Sequence, residues 1–222
     1  MFRKLALGGC AATMAVLAIF CASLPDVRPL AKRFPATTAF MERRRASLAQ
    51  SGLSTRFEWQ PVPISRVAPS MQRAVIAAED ARFWEHGGVD WDAIRSAALH
   101  DWDRGRFSHG GSTITQQLAK NLYLSPARTP WRKAKEWAIA WRLESTLTKR
   151  RILELYLNVV EFGPRTYGVE AAARRYFGKP AIALSPMESS TLAAMIPSPR
   201  IYDPIRHPKR VERRARRIRR WM

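Results

Sequence analysis

The feature that most constrains this chain is its opening. After Met1-Phe2-Arg3-Lys4, no charged side chain occurs from Leu5 through Pro25, and Asp26 is the next. A helix needs roughly 20 apolar residues to cross a hydrocarbon core of about 30 Å, and this run meets that length. Arg3 and Lys4 orient the N-terminus towards the cytoplasm, so the remainder is expected on the far side. The competing reading is a cleaved signal peptide. It fits less well, because Phe20 and Cys21 stand where a cleavage site wants small residues. Both cysteines, Cys10 and Cys21, fall inside the run. The exported part is therefore expected to hold no disulfide and no thiolate metal site, and to depend on its core.

The 222 residues are enough for one domain with a proper core. Charge is the unusual quantity, with 38 Lys+Arg against 18 Asp+Glu giving +20. Such a field draws nucleic acid, anionic headgroups or a phosphate-bearing substrate. An N-terminal span removes the first of these from reach.

Residues 26–60 carry Pro35 among scattered polar residues and lack sustained periodicity, which reads as a juxtamembrane connector with a short helix around Thr38–Gln50. Beyond it the chain is a succession of helical spacings. Met71, Val75 and Ala78 mark one helix, and Trp91, Ile94, Ala98 and Trp102 the next, with Asp90 as its cap. Ser112 caps a third. Thr129-Pro130 opens a long one whose buried stripe would be Ala134, Trp137, Ala138 and Trp141. Thr148 starts another, with Ile152, Leu155, Tyr156, Val159 and Val160 inward. Val169 to Phe177 repeats the pattern and stops at Gly178, and Ser185-Pro186 opens a helix to about Met195. No alternating strand stands out, so the expected fold is all-α. Residues 206–222 differ in kind, with nine Lys/Arg and one Glu and with Val211, Ala215, Ile218 and Met222 at helical spacing. This reads as a basic amphipathic tail suited to an anionic bilayer, or equally as a solvated end of the domain.

Three polar segments interrupt the helices in ways that packing does not explain. EDARFWEHGG (79–88) gathers acid, base, aromatic and imidazole groups. GGSTITQQLAKN (110–121) leads two glycines into a hydroxyl- and amide-rich helix start, which suits an anion or a sugar hydroxyl. RRILELYLN (150–158) sets Glu154 and Asn158 on one face with Arg150 and Arg151 three and four residues before Glu154. Singly, each signal is weak, since a helical Glu is more often salt-bridged than catalytic and a Gly-Gly-Ser start more often a plain cap.

Together and in this order, EDARFWEHGG, GGSTITQQLAKNLYL, RKAKE, ILELYLNVVEFG and AAARRYFGK make the chain resemble the glycosyltransferase domain of bacterial peptidoglycan polymerases. The resemblance covers residues 61–204, leaving 205–222 as the tail. With no penicillin-binding transpeptidase segment after it, the chain is similar to the stand-alone biosynthetic transglycosylases. The resemblance implies a lysozyme-like helical domain behind an N-terminal transmembrane helix (1–25), in the bacterial inner membrane with the catalytic part periplasmic. It implies transfer of a growing glycan from its polyprenyl pyrophosphate onto a sugar hydroxyl of lipid II. That reaction needs a base and stabilisation of the departing pyrophosphate.

By the same resemblance, Glu79 is the general base and Glu154 the second essential carboxylate. Arg132, Lys133 and Glu136, with Lys149, Arg150 and Arg151, form the pyrophosphate clamp, where Arg offers a fork and Lys a point charge. Ser112, Thr113, Gln116, Gln117, Lys120 and Asn121 line the cleft, with Asp80 and Asn158 beside it. Phe83 and His86 shape the site, and Trp84 stands where a Tyr is expected. No cofactor is required on this reading, and a divalent cation (Mg or Mn) at the pyrophosphate is left open. The expected partners are lipid II, the nascent strand and inner-membrane lipids, with other cell-wall synthesis proteins as further candidates and no nucleic acid. The alternative is a lysozyme-like hydrolase or lytic transglycosylase, which needs no pyrophosphate clamp.

Overall fold

A computed structural model describes residues 14, 16, 18–96, 111–127, 129–199 and 201–222. The expected anchor lies largely outside the described residues, which keep a short helical stretch at 18–22 before Ser23. Among the described residues no helix is long and apolar enough to cross a membrane.

The helices follow the sequence caps closely. Helix α1 (Ala39–Gln50) starts where the Thr38 side chain accepts from the Met41 amide. Helix α2 (Pro69–Glu79) uses proline in its first turn, where the missing N–H has no partner to lose. A further helix begins at 91, its first turn closed by Asp90 accepting from the Ala93 amide. Ala98 and Trp102, expected in the same helix, lie outside the described residues. Helix α3 (Ile114–Tyr123) is capped by Thr113 and not by Ser112, because the Thr113 hydroxyl is the one that reaches the Gln116 amide. Thr129 and Thr148 cap α4 (Pro130–Thr146) and α5 (Lys149–Val159) in the same way. Helix α6 (Val169–Phe177) ends on left-handed Gly178, and α7 (Pro186–Met195) opens with a reciprocal capping box between Ser185 and Glu188.

The buried stripe of α4 is not the expected one. Glu136, Ile139, Ala140 and Leu143 face inward, while Trp137 and Trp141 are exposed. The true stripe begins with a glutamate, so apolar spacing passes it over, and the tryptophans advertise the wrong face. The all-α expectation also needs a correction. Three short strands, β1 (Glu58–Trp59), β2 (Glu161–Gly163) and β3 (Thr166–Tyr167), form a small sheet of order β1-β3-β2. Runs of two or three residues carry no alternation to read. Gly168, just after β3, has φ +79, and a Cβ there would lie 2.7 Å from the Asn158 carbonyl oxygen. The sheet edge and the end of α5 approach too closely for any side chain.

Helix α5 is buried along Ile152–Val159 and forms the axis of the core. The segment expected as a connector packs onto it. Its Val27 and Leu30 belong to the same apolar core as Val62 and Ile64 just beyond it. Helix α8 (Pro208–Arg219), the expected tail, packs mainly on α7 and also touches α2, with Val211, Ala215 and Ile218 buried. Burying a Val or Ile side chain fully is worth about 1.5–3 kcal/mol, so this apolar face is already taken up by the domain. Only its arginine face is left for a bilayer.

Candidate active site

Helix α2 ends at Glu79 and the chain turns at Asp80, so two consecutive carboxylates leave one helix terminus in different directions. Asp80 turns inward. Its Oδ2 accepts from the Ile114 amide at 2.9 Å, and its Oδ1 bonds His86 Nε2 at 2.8 Å. The Gly88 amide donates to His86 Nδ1 at 3.1 Å, which leaves Nε2 as the proton-bearing nitrogen facing Asp80. Thr113 Oγ1 donates to the Gly88 carbonyl at 2.6 Å. Asp80, His86 and Thr113 thus sew the EDARFWEHGG loop to the start of α3. Asp80 and Thr113 also take amides of that first turn, so the helix start expected as an anion site is already occupied by protein groups.

Phe83 is fully buried beneath this loop, with the Lys149 ammonium 4.5 Å from its ring centroid. Arg82 closes the loop by pairing with Asp90 and Asp92. Asp80, His86 and Asp90 bring three ligand-type atoms within 4.8 Å of one another. Each has a protein partner as well: Asp80 the Ile114 amide and His86, His86 the Gly88 amide, and Asp90 Arg82 and the Ala93 amide.

Glu79 and Asp80 both line a pocket of about 410 Å³, together with Arg82, Asp90, Gly111, Ser112 and Thr113, but the Glu79 carboxylate takes different partners. Gln117 Nε2 donates to Glu79 Oε2 at 3.0 Å. Tyr156 Oη donates to Gln117 Oε1 at 2.9 Å, which fixes the amide so that its nitrogen faces the carboxylate. The second oxygen, Oε1, receives Arg214 from α8 at 3.3 Å. Burial raises the Glu79 pKa above the ordinary carboxylate value, against the opposing pull of Gln117, Arg214 and Lys120. Burial likewise lifts Tyr156 well above the usual phenol, keeping it a donor.

A cationic cluster stands beside this pocket. Glu136, only 3% exposed, pairs with Arg132 one turn earlier on α4 and with Lys133 at 2.5 Å. The Lys133 ammonium also reaches Gln116 Oε1 at 3.3 Å and Ser112 Oγ at 3.4 Å. Lys120 feels Glu136, Arg132, Lys133 and Glu79 together, and burial is the first cause of its lowered pKa. Ser112, Gln116, Lys133, Glu136 and Arg132 are therefore linked by hydrogen bonds and ion pairs, with Lys120 between them and the Glu79–Gln117 pair. Asn121 is buried one position beyond Lys120 on the same helix.

The remaining expected site residues lie elsewhere. Glu154 Oε2 accepts from the Ile64 amide at 2.6 Å, and Oε1 pairs with Arg151. The Asn158 side chain accepts from the Val62 amide and donates to the Val62 carbonyl, while Trp59 Nε1 donates to the Asn158 carbonyl at 2.7 Å. Arg151 also donates to the Leu30 and Arg33 carbonyls. This face of α5, expected to open on a cleft, is the dock for residues 27–64. Lys149 pairs with Glu144 at 2.8 Å, and Glu144 also accepts from Thr115. Lys149 and Arg151 are thus each held in an ion pair, with Glu144 and Glu154, and Arg150 is exposed.

Two contributors went unnoticed in the sequence. Tyr156 reads as a core residue, and Arg214 is hidden in an arginine-rich tail. A signal for Arg214 does exist, since it sits three residues after Val211 and one before Ala215, on the edge of the buried stripe.

The arrangement as a whole is that of a helical enzyme holding a partly desolvated carboxylate against a pocket with an anion-receptive cluster next to it. The chain belongs to the transglycosylase family, matching it over residues 45–222. It is 47% identical over 188 residues to the biosynthetic peptidoglycan transglycosylase of Laribacter hongkongensis, covering 85% of this chain and 82% of that one. Its identity to the protein of the same name from Methylobacillus flagellatus is 48% over 182 residues, covering 82% and 80%. With the namesake from Nitrosospira multiformis it shares 46% over 184 residues, covering 83% and 80%.

Proposed function

We propose that this protein polymerises cell-wall glycan, transferring the growing strand from its polyprenyl pyrophosphate onto a sugar hydroxyl of lipid II. The observation that carries the reading is a buried carboxylate, Glu79, lining a pocket flanked by Arg132, Lys133 and Lys120. Glu79 takes the proton from the acceptor hydroxyl as that oxygen attacks the anomeric carbon of the donor. The bond to the pyrophosphate breaks, and the charge gathering on the departing group is met by the cations. A raised pKa suits a base working near neutral pH, because it strengthens the carboxylate as a proton acceptor.

The second carboxylate of the site is Glu136 rather than Glu154. A bare carboxylate beside a pyrophosphate is repulsive. Glu136 avoids that by holding Arg132 and Lys133 on α4, so that it orients the clamp and the cations face the anion. Glu154, Asn158 and Arg151 fasten residues 27–64. Asp80, His86, Thr113 and Phe83 keep the loop after Glu79 in place. A hydrolase would need a carboxylic acid and a water site but no such cluster, which disfavours the lytic reading.

The enzyme acts at the inner membrane, held by residues 1–25 with its N-terminus cytoplasmic and the domain periplasmic. Supporting this, exposed Trp131, Trp137 and Trp141 run along α4, and the Phe20 ring stacks edge-on to Trp131 at 5.0 Å. Arg142 on the same helix donates to the carbonyls of Cys21, Leu24 and Pro25. Tryptophan suits the headgroup region, so the end of the N-terminal helix and this face would meet the bilayer together. Incubation with lipid II tests the function directly. Long glycan and free polyprenyl pyrophosphate are expected, whereas clearing of preformed wall without lipid II consumption would contradict it.

A further inference from the structure

The last helix reaches into the site, and that contact has a consequence for the reaction. Helix α8 is fixed to the domain by buried Val211, Ala215 and Ile218 and by Arg219, which donates to Ser190 and Glu212. From the edge of this face Arg214 extends to Glu79 Oε1. Its guanidinium carbon stands 5.8 Å from the ring centroid of Tyr202, which covers one side. Its Nε is buried and has no hydrogen-bond partner among the described residues. The two partners are well covered, with side-chain exposures of 20% and 9%. The charge is therefore neither solvated like its neighbours nor shared with a second carboxylate.

We infer that Arg214 is a positioning residue for the base, holding the Glu79 carboxylate against Gln117 from the opposite side of the site. The two oxygens of Glu79 are then fixed by groups from two elements 97 residues apart in the chain, Gln117 on α3 and Arg214 on α8. This rests on the reading of Glu79 as base and adds that the C-terminal helix is part of the working site.

The charges that bear on Glu79 are Arg214 from α8 and Lys120 from α3, with Tyr156 from α5 and Asp80 next in the chain as the anionic or ionisable neighbours. Without Arg214, burial is less opposed and protonation of Glu79 becomes easier. A base works only when deprotonated, so activity would be lost at a higher pH as pH falls.

The test is the pH profile of kcat/KM for lipid II polymerisation by the full chain, for wild type, Arg214→Gln and Arg214→Lys. For Arg214→Gln the acid limb should move up by about one pH unit or more, with activity largely restored on the alkaline side and KM little changed. Arg214→Lys should return the limb most of the way. A uniform loss at every pH, with the acid limb unmoved in both variants, would overturn the inference and leave Arg214 a packing residue. Should Arg214→Gln unfold, judged by thermal melting, Arg214→Lys alone decides: an acid limb raised by less than one unit supports the inference, and a limb at the wild-type position with lowered kcat refutes it. Glu79→Gln serves as the control, for if that variant still turns over, the base assignment itself has failed.

Discussion

Replacing Glu154 by Gln separates the two carboxylates most sharply. In the structure its side chain is 11% exposed and its partner Arg151 16%, so the pair is largely shielded from solvent. Removing one member of a buried ion pair costs about 3–5 kcal/mol. A glutamine can still accept from the Ile64 amide, which recovers part of this and leaves a loss of about 2–4 kcal/mol. For a chain of this size each kcal/mol lowers the melting temperature by about 2–4 °C, so a fall of roughly 5–15 °C is expected. The assay pairs thermal unfolding, followed by circular dichroism, with lipid II turnover measured well below both transitions. Turnover per folded molecule should stay within a few-fold of wild type. An unchanged melting temperature with abolished turnover would instead make Glu154 a reacting group and not a fastener.

Other expectations are as direct. Arg132→Ala should lower kcat by about 10²-fold or more by removing a donor to the departing pyrophosphate, read by steady-state polymerisation. Gly168→Ala, which combines a positive φ with a Cβ 2.7 Å from the Asn158 carbonyl, should destabilise the fold by about 1–3 kcal/mol in urea unfolding. Trp137→Ala with Trp141→Ala should weaken binding to anionic vesicles about tenfold while leaving the melting temperature within about 2 °C, since both rings are exposed. Because the Glu79 pKa is raised, wild-type kcat/KM should fall away with decreasing pH at values above the ordinary carboxylate range.

Much of the fold was legible because its helices advertise their ends. Thr38, Thr129, Thr148 and Ser185 each cap the helix that the sequence assigns to them, and Gly178 ends α6 as expected. The face of α4 was not legible, because a glutamate heads its buried stripe while its tryptophans face outward. The three strands were too short to leave a pattern, and β1 pairs with β3 across about a hundred residues of chain. The site was legible as a set of motifs but not as a division of labour. Glu154 and Glu136 both sit near Arg in sequence. Only the fold reveals that the amides of Val62 and Ile64 face the α5 side chains, and that Lys133 faces Ser112 and Gln116. Arg214 was masked by eight other basic residues in the same tail.

The central claim is that Glu79 is the base of a glycan polymerase, and the most direct measurement is lipid II polymerisation and lipid II binding by Glu79→Gln beside wild type. Strand formation should be abolished while binding is largely retained, since the cations around Arg132 and Lys133 are untouched. Undiminished turnover in the variant would contradict it.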